Sequence, residues 1–122
     1  MEQEQRAAPR TGFYRPVQIR MVGGQLVAAK TTNISAGGVC LLAADPLKMN
    51  STCLISFDID LEGAFQKVNI VSQVCNVSFS GQGTRIGLKF LQFEGNSASI
   101  INKYIASITP QTSEAADENL FK

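Results

Sequence analysis

Apolar residues recur at every second position through most of this chain and change to a helical spacing once, near its end. Across residues 15–22, Val17, Ile19 and Met21 fall on one face and Gln18, Arg20 and Val22 on the other. Pro16 stands at the start of that run, where its missing N–H does least harm to a strand. Gly23-Gly24 then reads as a hairpin turn, followed by strands over 25–34 and 38–43 and a loop around Asp45-Pro46, Lys48 and Asn50-Ser51. The cleanest alternation spans 52–61, with Cys53, Ile55, Phe57, Ile59 and Leu61 inward, before a turn at Glu62-Gly63. In the long run 66–79, Val71, Cys75, Val77 and Phe79 share a face that Gln73 interrupts, which predicts a bulge near Gln73. Residues 84–93 place Ile86, Leu88 and Phe90 inward, opposite Arg85, Gly87 and Lys89. Six strands joined by short turns, with no helix between them, predict an all-β antiparallel barrel or sandwich.

After Glu94-Gly95 the period becomes 3.6. Asn96 or Ser97 can cap a helix whose stripe is Ile100, Ile101, Tyr104, Ile105 and Ile108, and Pro110 stops it. Residues 1–14 show neither period and read as a mobile arm. Residues 110–122 are polar and acidic up to Leu120-Phe121 and read as a disordered tail, which leaves 15–109 as the folded unit.

Composition narrows the function classes. Hydrophobic residues make up 44% of 122, enough for one domain with a real core, and 11 basic against 10 acidic residues leave a net charge of +1. So small a charge gives no field for duplex nucleic acid or an anionic membrane, and anion binding has to be local. Barrels that bind single strands use exposed aromatics in a basic groove, whereas Phe57, Phe79 and Phe90 are expected to point inward. No apolar run approaches the roughly 18 residues of a membrane span, and the polar, acidic start Met1-Glu2-Gln3-Glu4-Gln5 is unlike a secretory leader. A cytoplasmic protein without membrane insertion is expected. The absence of histidine excludes a Ser-His-Asp triad, a histidine base and histidine-ligated zinc. Cys40, Cys53 and Cys75 lack metal spacing and are expected to be small buried hydrophobes. Asp58 and Asp60, which could hold a metal in an enzyme acting on nucleotides, are expected to form a solvated face.

Two places carry chemistry. At the polar corner Asn33-Ile34-Ser35-Ala36-Gly37-Gly38, short side chains can bond to the backbone or to a ligand, and glycine allows close approach to the main chain. Ahead of the first strand, Arg6 and Arg10 offer planar forks that match a phosphate or the O6/N7 edge of guanine bidentately. Arg15, out of register with that pair, is a secondary candidate, and Arg85 is expected at the surface.

Arg6-x-x-x-Arg10, Pro16-Val17 opening a strand, Asn33-x-Ser35-x-x-Gly38 and Ile86-Gly87-Leu88-Lys89-Phe90 before a helix with Tyr104-Ile105 together resemble the PilZ domain over residues 5–108. The resemblance implies a six-stranded antiparallel split barrel with one C-terminal helix. It also implies a non-catalytic bacterial receptor for the second messenger cyclic di-GMP, without a cofactor or metal. By that likeness Arg6 and Arg10 would hold guanine edges and phosphates, Asn33 and Ser35 would contact a guanine, and Gly38 would keep the corner open. The family motif accepts Asp or Asn at the corner, and Asn33 brings no full charge to guanine's donors. Many members carry a third arginine before the pair where this chain has Gln5, so one or two ligands per site both fit. Output would pass to an unidentified downstream protein; the alternative is a PilZ-like protein–protein interaction module with little nucleotide affinity.

Overall fold

The alternating stretches form strands, and the sheet they build closes on itself. The computed structural model describes residues 11–108, apart from the side chain of Thr11. In chain order the elements are β1 (Thr11–Gly12), β2 (Pro16–Met21), β3 (Leu26–Ile34), β4 (Gly38–Ala43), β5 (Thr52–Leu61), β6 (Ala64–Ser80), β7 (Gly83–Phe93) and α1 (Ser97–Ile108). All pairings are antiparallel. The order β3-β2-β5-β6-β7-β4 returns to β3 through the β3–β4 hairpin, giving a closed six-stranded barrel with β1 as a two-residue extension beside β3. Closure leaves no long unpaired edge.

The interior is built from aliphatic side chains of every barrel strand, among them Ile19, Ile34, Leu41, Ile55, Ile70 and Ile86, all at most 1% exposed. Helix α1 lays Ile100 and Ile101 on β5 and β6, with Tyr104 and Ile105 partly buried behind them. Its stripe ends there, because Ile108 is exposed. At the start of α1 the Asn96 carbonyl accepts the Ile100 N–H. The Ser97 hydroxyl instead accepts the N–H of Asn69, tying the helix to β6. Among the described residues no helix is long and apolar enough to cross a membrane.

The observed packing corrects several sequence expectations. The fold starts before residue 15: Thr11–Gly12 pair with β3, and Phe13 is buried, its ring edge-on to Phe57 at 5.5 Å and to Tyr104 at 5.3 Å. In β6 the buried face is Val68, Ile70, Ser72 and Val74. The polar Ser72, satisfied by donating to the Ile70 carbonyl, disguised that face in the sequence. Register slips between Val71 and Ser72 and between Val74 and Asn76, so bulges flank Gln73, and past the second the phase of β6 reverses. Val77 then turns to the core, whereas Phe79, beyond the wall, is 77% exposed.

The cysteines divide in the same way. Only Cys53 is buried; Cys40 is half-buried, and Cys75, the extra residue of the β6 bulge, is exposed. Burial raises the Cys53 thiol pKa from 9.0 to about 11. The unfolded chain therefore ionises this thiol first, and its contribution to stability is lost as pH rises from 9.0 through about 11. The Pro110 stop, the tail at 110–122 and the arm residues before Thr11 lie outside the described residues.

Phe13→Ala is expected to lower stability in urea by about 3–5 kcal/mol, and Phe79→Ala by no more than about 0.5 kcal/mol. Equal effects would contradict the burial assigned to these two rings.

Candidate functional site

The corner between β3 and β4 is shaped by one inserted residue. Inward positions along β3 run Val27, Ala29 and Thr31 at the strand's period of two, then jump to Ile34. The register against β4 shows why: Thr31 faces Leu41 and Asn33 faces Cys40, so Thr32 is a bulge, its hydroxyl donating to the Cys40 carbonyl at 3.3 Å. Without that extra residue Asn33 would share the inward face with Thr31. The bulge turns Asn33, half-buried, toward the outer surface while Ile34 enters the core.

Past Ile34 the turn is satisfied from within. The Ser35 N–H donates to the Gly38 carbonyl at 2.9 Å, the Gly37 N–H donates to Ser35 Oγ at 3.3 Å, and the Gly37 carbonyl accepts the Phe90 N–H at 2.9 Å. Ser35 is 6% exposed and its hydroxyl also donates to the Gly38 carbonyl. Gly38 is buried against β7, where a methyl group would collide with the Leu88 carbonyl oxygen. The absent side chain at Gly38 thus serves the β4–β7 approach.

The segment leading into the barrel arrives at this corner. Thr11 pairs with Ile34 and Gly12 with Asn33. Between β1 and β2 the chain is clasped by Thr31, which is 1% exposed. Its hydroxyl donates to the Phe13 carbonyl at 2.7 Å and accepts the Arg15 N–H at 2.7 Å, standing in for a ladder partner where the strand is interrupted. Tyr14, displaced by the interruption, projects outward.

The structure therefore brings Asn33, Ser35 and Gly38 together in one corner, whereas Arg6 and Arg10 lie outside the described residues. Arg15 is engaged elsewhere: Nε donates to the Asp58 carbonyl at 3.3 Å and the guanidinium lies 4.8 Å from the centroid of Phe65. Arg85 is exposed on β7. Asp58 pairs with Lys67 at 3.4 Å in an exposed contact, and Asp60 accepts the Gly63 N–H. Among the described residues no group of three or more Cys, Asp or Glu could hold a metal. Nothing in the pattern marks Gly12 or Tyr14; Thr31 and Thr32 open the polar stretch that ends in the corner, and the signal for their separate roles is the three-residue step from Thr31 to Ile34.

Two of the surface depressions bear on the site. The larger, about 630 Å³, lies at the opposite end of the barrel between Val22, Leu47 and Lys48, and contains no motif residue. A groove of about 490 Å³ runs beside the corner, bounded by Tyr14, Lys30, Thr32 and Leu42. The chemistry favours the smaller of these two, since Thr32, the bulge residue before Asn33, lines it.

The chain matches the family model of the PilZ domain over residues 4–107. No curated protein gives a significant match. Among solved structures it resembles the Bacillus subtilis inhibitor of motility MotI/DgrA, with a TM-score of 0.73 and 18% identity over 84% of this chain and 50% of that one. The chain thus spans half the length of that protein. It also resembles the PilZ domain of YcgR from Escherichia coli, solved with c-di-GMP, with a TM-score of 0.65 and 18% identity over 85% of this chain and 91% of that one. At these identities the likeness is one of fold.

Gly38→Ala is expected to cost about 1–3 kcal/mol or more through overpacking against β7. Gly37→Ala meets open space and is expected to change stability by no more than about 0.5 kcal/mol. Chemical denaturation of the two variants separates the roles, and a tolerated alanine at 38 would contradict the assigned packing.

Proposed function

The chain belongs to the PilZ domain family, and from that membership we propose that it is a non-catalytic cyclic di-GMP receptor of the bacterial cytoplasm. Arg6 and Arg10 close over a nucleotide held at the Asn33 corner. The observation that carries this reading is the pairing of Thr11 and Gly12 with Ile34 and Asn33, which anchors the segment following Arg10 at the corner itself. Arg10 is one peptide bond from Thr11, and Arg6 is five residues from it, a reach of at most about 18 Å. Asn33, turned outward by the Thr32 bulge, offers both an acceptor and a donor group to a base edge. Ser35 holds the turn and keeps a lone pair for the ligand; Gly38 fixes the corner on β7. The PilZ domain of YcgR, solved with c-di-GMP, supports the ligand assignment.

Energetics require both arginines. Ordering the five residues 6–10 costs roughly 5–10 kcal/mol of backbone entropy, lessened by Pro9, which fixes one φ. Each charge-assisted hydrogen bond returns about 1.5–3 kcal/mol, so about four to six are needed before rigid-body losses are covered. One guanidinium, even with all five of its N–H donors engaged, covers only part of that range. Closure makes a new surface that a downstream protein partner can read.

Calorimetric titration of cyclic di-GMP tests the mechanism. The wild type is expected to bind at micromolar or tighter Kd, whereas Arg6→Ala and Arg10→Ala lose measurable binding while their ligand-free melting temperature hardly moves. Near wild-type affinity in either variant would refute the closing arm.

A further inference from the structure

Tyr14 is 77% exposed, an unusual position for a large ring so close to a candidate site. Its ring lies across Gly12, where an added methyl would sit 3.2 Å from Tyr14 Oη and 3.3 Å from Cε2. Gly12 is the register partner of Asn33, so the residue the ring covers is the one paired with the corner asparagine. The groove continues from it between Pro16, Leu42, Lys30, Thr32 and Gln82. Its volume, about 490 Å³, is that of a small-molecule site. Its walls combine flat apolar surface with an ammonium group, a hydroxyl and an amide, a set that suits an aromatic heterocycle carrying a phosphate.

We propose that Tyr14 is a stacking platform for a guanine base, with Lys30 beside it for a phosphate. The inference rests on the receptor reading and deepens it: Asn33 addresses one base edge of the dinucleotide, and the Tyr14 groove takes the other purine. Gly12 is part of the device, because a side chain there would press on the ring and shift it. The ring's small burial means that it contributes little to folding, which separates a binding role from a structural one.

The chain has two tyrosines, Tyr14 and Tyr104, so protein labelled with 3-fluorotyrosine gives two ¹⁹F resonances, and Tyr14→Phe assigns them. On adding cyclic di-GMP the Tyr14 line is expected to shift. Tyr14→Ala is expected to weaken binding about 10-fold or more, the effect of one lost base–aromatic stack, with unchanged melting temperature. Tyr14→Phe restores affinity because the ring, not the hydroxyl, makes the contact. Lys30→Ala weakens binding most at low salt. If the wild type binds and Asn33→Ala does not, yet Tyr14→Ala binds normally and the Tyr14 line stays fixed, the platform is overturned and the receptor reading stands. If the wild type shows no binding at all, the receptor reading fails and the platform falls with it.

Discussion

The hydroxyl of Thr31 and the bulge at Thr32 are the constraint on which the rest of the molecule's chemistry depends. A regular β3 would bury Asn33 and leave Phe13, Tyr14 and Arg15 without a defined path into the barrel. One inserted residue reverses the facing of Asn33, and one buried hydroxyl, bonded on both sides at 2.7 Å, fixes the strand interruption that projects Tyr14. A buried hydroxyl is tolerated only because both its donor and its acceptor capacity are used.

The same constraint ties the candidate site to the core. Phe13, held by Thr31 through its carbonyl, packs edge-on between Phe57 of β5 and Tyr104 of α1. The segment that leads into β2 is thus part of the hydrophobic interior.

Most of the barrel is legible because its six strands keep the period of two outside the bulges of β3, β6 and β7, and the helix because its stripe obeys 3.6 as far as Ile105. What the alternation hid has local physical causes. Ser72 is a polar residue on a buried face, so the alternation in β6 points to the opposite phase, with Cys75 and Phe79 inward. Phe13 packs from outside any alternating run and carries no pattern of its own. The corner residues Asn33, Ser35 and Gly38 were found by their spacing, but spacing could not separate roles: Gly38 packs against a carbonyl, whereas Asn33 faces outward. Tyr14 and Gly12 gave no signal, since their relation arises only when β1 pairs with β3.

The most direct test of the central claim, that the nucleotide sits at the β1–β3–β4 corner, is a map of backbone amide shifts during titration with cyclic di-GMP. The largest changes are expected at Gly12, Asn33, Ser35 and Gly37, and none at Val22, Leu47 or Met49 at the opposite end of the barrel. Changes concentrated around Val22 and Leu47, with the corner silent, would contradict it.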